Sequence, residues 1–192
     1  MYLDTGEIMD ISPFIRQKYD LKVNNEIERF YDEISYEASL EKGIFLISLK
    51  DRTKKEVRLK LEEKYRNKAA ILRAIEKLEE FGYLNDLNYA MSYIEGRTYG
   101  KNRISYNLFQ KGINKDLVEK AYLTLDEEKE ENVEDVKLEK LIEKKGKKVN
   151  VNNERDEKKI KEEQKLIQYL ARQGFSLDKI FKKLKEYKGN YE

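Results

Sequence analysis

The chain has 192 residues, 41% of them charged and 39% hydrophobic, with one proline and nine glycines. That mix favours small amphipathic helical units over one deep core. It has no cysteine and no histidine, which excludes disulfides, thiol nucleophiles and Cys-zinc sites and removes the commonest general base and metal ligand. The formal net charge of +2 hides a mosaic, acidic from Leu123 to Glu139 and basic from Lys140 to Lys148 and again from Lys165 to Lys188. A mosaic suits a charged surface met in register better than blanket nucleic-acid affinity.

No segment approaches the ~20 consecutive apolar residues of a membrane span. The opening MYLDTGEIMDIS has neither the basic nor the apolar region of a signal peptide. A soluble, cytoplasmic chain is expected. No GxxxxGK[ST] or GxGxxG phosphate loop is present. The 38 acids are mostly interleaved with Lys and Arg, the pattern of solvated helix faces rather than of a carboxylate pair for hydrolysis. No cofactor, no metal and no catalytic residue are expected.

In chain order, Tyr2-Leu3 and Ile8 flank Asp4-Thr5-Gly6-Glu7, the signature of a small β-hairpin. Ser12-Pro13 reads as N-cap and first helical residue. Asn24-Asn25 is a second start signal, for a face of Ile27, Phe30, Tyr31 and Ile34. From about Tyr36 the chain repeats. Lys60-Leu61-Glu62-Glu63-Lys64-Tyr65, Asn107-Leu108-Phe109-Gln110-Lys111-Gly112 and Tyr169-Leu170-Ala171-Arg172-Gln173-Gly174 align on Tyr65, Gly112 and Gly174. A leucine lies four residues before each anchor and apolar positions lie six and ten after it.

The predicted fold is therefore mainly all-α, three tandem three-helix repeats in an elongated arrangement. The N-terminal segment covers 1–35, and the repeats cover 36–84, 85–125 and 126–192. Their helices are predicted at Ser39–Leu49, Thr53–Tyr65 and Lys68–Phe81, then Leu87–Thr98, Lys101–Lys111 and Lys115–Leu125, then Val133–Lys144, Asp156–Gln173 and Leu177–Tyr187. The acidic run Asp126 to Glu131 is read as opening the first helix of the third repeat, where acids suit the positive helix end. The low-hydrophobicity stretch around 144–155 is read as an exposed loop insertion. Such short helices must bury their faces on each other and on the next unit.

The middle repeat is the most informative. Leu87, Ala90, Met91 and Ile94 share one helical face; Gly100 breaks it; Ile104 and Leu108 restart it. Gly112 can take the left-handed turn that ends a helix, and Asn114 is a good N-cap for a face of Leu117, Val118, Ala121 and Leu125. Asp86, Tyr89-Ala90, Arg97, Gly100, Ile104, Leu108 and Lys111-Gly112-Ile113, in that order and spacing, resemble the signature of the bacterial regulatory protein RecX family. Tyr89 stands where that family more often has Phe, and Asn107 where it usually has an acid. The resemblance implies a non-enzymatic modulator of the RecA recombinase, typically an inhibitor of strand exchange and of RecA-dependent cleavage of the SOS repressor. It implies binding along the groove of the RecA–DNA filament. The near-neutral overall charge predicts weak, steeply salt-dependent binding to bare DNA. The chain is expected to act as a monomer.

On a helical wheel, Asn102, Arg103, Tyr106 and Gln110 point away from the Ile104–Leu108 face. Lys101 in the first turn opposes the helix dipole, a hint of an outside anionic partner, or an ordinary solvated lysine. Lys111 in the last turn is explained by the dipole alone. Arg97 is expected to tie backbone carbonyls or an acid such as Asp86. The predicted partner edge is Arg97, Lys101, Arg103, Tyr106, Gln110, Lys111 and Lys115; the other signature residues are structural. Tyr89, Tyr93, Tyr99 and Tyr106 can stack on bases and partner pockets, or bridge packed repeats. Lys179, Lys182, Lys183, Lys185 and Lys188 form a charged patch or a normal polar face. The alternative reading is a stand-alone helix-turn-helix DNA-binding protein built on Lys54 to Phe81, whose second helix opens on Ala69, Ala70, Ile71 and Leu72 instead of on basic residues.

Overall fold

A computed structural model describes residues 1–4, 6–23, 26–146 and 157–189. Asn24-Asn25, and the part of the expected insertion from 147 to 155, lie outside the described residues. The described residues are helical, with no strand among them, and fall in two compact units, Met1–Tyr89 and Ala90–Glu192.

The first unit opens on an N-terminal arm rather than a hairpin of strands. One antiparallel bridge pairs Tyr2 with Ile8, and the Met9 amide donates to the Met1 carbonyl at 2.9 Å. Two short strands alone are marginal in water, so the arm is pinned from outside. Met9 is fully buried, Glu7 accepts from the Tyr31 hydroxyl at 2.9 Å, and the Tyr65 hydroxyl donates to the Asp10 carbonyl at 3.0 Å. α1 (Pro13–Lys18) starts as predicted, the Ser12 hydroxyl accepting from the Ile15 amide at 3.2 Å.

After a 3-10 turn at Glu28–Phe30, α2 runs unbroken from Tyr31 to Leu49. This corrects the predicted start at Ser39. The face of Ile34 carries on in helical register to Ala38, and both are buried in the same core as Met9 and Ile15. The boundary expected at 35/36 thus falls inside a helix. α3 (Lys54–Glu62) begins with a reciprocal capping box between Thr53 and Glu56. α4 (Lys68–Glu80) is capped by Asn67, which accepts from the Ala70 amide at 3.0 Å. α4 packs on α2, whose buried residues include Ser35, Ser39 and Gly43, small and four apart. A Cβ at Gly43 would lie 2.5 Å from Leu78 Cδ1 on α4.

α5 (Asp86–Glu95) leads into the second unit, with α6 (Lys101–Gln110) and α7 (Lys115–Lys129). α7 outruns its predicted end at Leu125. The acidic run Asp126 to Glu131 does not open the next helix: it carries α7 on to Lys129 and turns at Glu130, with φ +53. Nothing in Asp126-Glu127-Glu128-Lys129 breaks a helix, and the Asp126 carboxylate caps the following helix from behind, accepting from the Val133 amide at 2.8 Å. α8 (Val133–Gly146), α9 (Glu157–Arg172) and α10 (Leu177–Gly189) bury Leu138, Ile142, Leu170, Phe175 and Ile180 in one cluster.

Lys137 on α8 donates to the Ile94 carbonyl at the end of α5, a favourable place for a cation. Burial nevertheless pulls its pKa down to about 8, Glu134 and Glu95 opposing the shift and Lys129 adding to it. An unfolded lysine titrates near ~10.4, so between those values the unfolded chain holds a proton that the fold has released. Stability from this group therefore rises with pH across that window. In urea unfolding, wild type should gain on Lys137→Met by about 1–2 kcal/mol from pH 8 to pH 10, the shift being discounted for partial exposure. A difference that stays flat would put the ammonium in water.

Candidate partner-binding edge

α6 is held at both ends by its own sequence and on one side by the core. Gly100 is its N-cap, and Ile104 and Leu108 are fully buried. Its C-terminus is a Schellman turn. Gly112 sits at φ +89, which an L side chain rarely adopts; its amide donates to the Phe109 carbonyl at 2.9 Å, and the Ile113 amide to that of Leu108 at 3.0 Å. Ile113 is buried beneath the turn. Asn114 then caps α7, accepting from the Leu117 amide at 2.8 Å. These local devices leave Asn102, Arg103, Tyr106, Phe109, Gln110 and Lys115 exposed.

Tyr106 is 65% exposed and Phe109 66%. Large aromatics so far out of a core raise the hydration cost of the free protein and are enriched where partners dock. The Arg103 guanidinium lies 3.9 Å from the centroid of the Tyr99 ring and donates to Gln173 Oε1 at 3.3 Å, so the cation is held in place while remaining exposed. Phe109 is not among the predicted site residues, since a phenylalanine in a helix is ordinarily read as core, and only its exposure places it on this edge. A second signal is also plain in the sequence. From Gly96 to Lys115 there is no Asp or Glu, the longest such run in a chain with 38 acids, and it carries Arg97, Lys101, Arg103, Lys111 and Lys115.

Two of those cations do other work. Lys101 is not an unanswered charge: its ammonium pairs with Glu119 on α7 at 2.5 Å and lies 5.1 Å from the Tyr122 ring centroid. The helix dipole of α6 alone gives no sign of this pair, because Glu119 lies on the next helix. Arg97 is exposed and lies 5.4 Å from the Tyr93 ring centroid, not on Asp86. Asp86 is buried and accepts from the Lys54 amide at 2.9 Å; burial raises its carboxyl pKa and that hydrogen bond pulls it back. Lys111 is half-buried at the C-cap of α6. Tyr89 is half-buried, and Ala90 and Gly100 are buried.

The C-terminal lysines are mostly committed to their own unit. Lys179 pairs with Asp135 at 2.7 Å and Glu134 at 2.9 Å, Lys183 with Glu139 at 2.5 Å, and Lys188 with Glu163 at 2.8 Å; Lys182 and Lys185 are exposed. On α4, the second helix of the helix-turn-helix reading, Arg73 pairs with Glu33 at 3.0 Å and Lys77 with Glu80 at 2.7 Å. Ala70 and Ile71 at its start are buried in the core. No helix among the described residues is long and apolar enough to cross a membrane.

Residues 85–121 match the family model described as RecX, second three-helix domain. The chain is 30% identical over 185 residues to regulatory protein RecX of Clostridium beijerinckii, covering 93% of this chain and 84% of that relative. To regulatory protein RecX of Clostridium acetobutylicum it is 32% identical over 162 residues, covering 83% and 73%. Among solved structures, RecX from Lactobacillus salivarius superposes with a TM-score of 0.65 at 29% identity over 79% of this chain and 96% of that one. Another crystal structure of regulatory protein RecX gives a TM-score of 0.62 at 22% identity, over 93% and 88%, a likeness of fold.

Proposed function

The chain belongs to the RecX family of regulatory proteins, and from that premise we propose that it binds the filament RecA forms on DNA and restrains RecA recombinase and coprotease activity. It acts without catalysis, in the cytoplasm, as a monomer whose three three-helix repeats are α2–α4, α5–α7 and α8–α10. The observation that carries the reading is the α6 edge: Arg103, Tyr106, Phe109 and Lys115 exposed together within an acid-free stretch, in the segment matching the family model. A stretch that supplies cations and aromatics and no acid of its own complements an acidic or phosphate-lined groove. Linked repeats along a filament add contacts as effective concentration, so modest single contacts suffice. The helix-turn-helix alternative gains no support, since Arg73 and Lys77 of α4 pair with neighbouring acids and its start is buried in the core.

Titration against RecA-coated single-stranded DNA, bare single strands and bare duplex tests this, with RecA ATPase read alongside. Binding to coated DNA should be at least about tenfold tighter than to either bare form, and bare-DNA binding should fall steeply with salt. Equal affinity for bare duplex would replace the RecA reading with the DNA-binding one.

A further inference from the structure

The first amides of a helix have no partner within it and must find acceptors elsewhere. In α6 none comes from a neighbouring side chain, for the N-cap is Gly100. The acceptors come from far along the chain. The Gly100 amide donates to the Gln173 carbonyl at 2.9 Å, the Lys101 amide to Glu134 Oε1 at 2.7 Å, and the Asn102 amide to the Gly174 carbonyl at 3.2 Å. Glu134 is only 5% exposed and uses its second oxygen on the Lys179 ammonium at 2.9 Å. The backbones touch: a Cβ on Gly100 would overlap the Gly174 carbonyl carbon, and one on Gly174 would lie 2.5 Å from Arg103 Cβ. With these three amides filled and the Gly174 backbone packed against Arg103, this end of α6 has no room for an outside anion.

The first unit has the same device. Asp86, the first residue of α5, accepts from the amide of Lys54, the first residue of α3. Glu134, the second residue of α8, does this for Lys101, the first residue of α6. In both, a buried carboxylate opening one three-helix group caps the middle helix of the group before it.

We propose that Glu134 and the α9–α10 turn clamp the N-terminus of α6 and thereby set the position of its exposed edge, so that the C-terminal repeat braces the binding helix. Gly100, Glu134 and Gly174 are then positioning residues for Arg103, Tyr106 and Phe109. The consequence for affinity rests on the reading of that edge as the partner surface; the clamp does not.

The test is residue-resolved amide exchange by NMR on the full chain, followed by binding to RecA-coated DNA. Gly100→Ala wedges the backbone contact and Glu134→Ala removes the acceptor; Glu134→Gln keeps an acceptor oxygen and loses the charge. Amides 101 and 102 should exchange at least about tenfold faster in the two alanine variants and within about threefold of wild type in Glu134→Gln, with Leu138 to Ile142 unchanged. Affinity should fall about tenfold in the alanine variants and recover in Glu134→Gln. Unchanged exchange in both alanine variants overturns the clamp whatever the partner. A rise spread evenly through α8 and α10 also overturns it, because it marks an ordinary core role. Faster exchange with wild-type affinity, while the edge variants Arg103→Glu and Lys115→Glu do weaken binding, overturns the positioning role. Faster exchange with neither set affecting binding upholds the clamp and sinks the reading of α6 as the partner edge.

Discussion

Arg103→Glu combined with Lys115→Glu and Phe109→Ala should weaken binding to the RecA filament by at least about 100-fold, or ~2.7 kcal/mol. Each charge reversal turns an attraction into a repulsion, and an exposed aromatic that docks contributes about 1–2 kcal/mol when it is desolvated. Helicity should be unchanged, because surface substitutions usually cost within about 0.5 kcal/mol each. Arg103 has the largest cost of the three, since it also covers Tyr99 and reaches Gln173. Lys101 is left out, because reversing it would break its pair with Glu119. The matched control is Lys182→Glu with Lys185→Glu, both exposed on α10. Reversing Lys179 or Lys183 instead would test stability, since both are ion-paired within the unit. Filament binding by anisotropy and thermal melting on the same samples separate the effects. A control pair more damaging than the edge variant would move the site to the C-terminal repeat.

The second large effect concerns the α2–α4 joint. Leu78→Ala removes a fully buried side chain and should cost about 2–4 kcal/mol. Gly43→Ala alone should also cost about 1–3 kcal/mol despite alanine's better helix propensity, because its methyl meets Leu78 Cδ1 at 2.5 Å. In the double variant the new methyl enters the space that leucine vacates. The combined cost should therefore fall short of the sum by at least about 1 kcal/mol. Urea unfolding of the four proteins gives the cycle. Strict additivity would mean the helices slide apart freely at this point.

Much of the fold was legible because it is local. Ser12, Asn114 and Gly112 do what their types imply, since a cap or a left-handed turn is decided within four residues. The buried faces of Ile104 with Leu108 and of Val118 with Ala121 follow from helical period alone. The misjudged boundaries are places with no local stop signal. α2 extends back to Tyr31 because the N-terminal arm covers its first turns, and α7 extends to Lys129 because nothing in its acidic tail breaks it.

Local pattern is thus enough to show an all-helical chain of repeats, which repeat carries the family signature, and where its acid-free stretch lies. Which of the cations in that stretch face outward depends on the packing of one helix against another. Lys101 looked available and is spent on Glu119, while Arg103 is held exposed by Tyr99 and Gln173. Only packing, too, revealed that Glu134 and Gly174 complete the start of α6. Periodicity tells which face of a helix is apolar. It does not tell which distant carboxylate or carbonyl will come within 3 Å of a given donor, because that distance is set by the packing of whole helices.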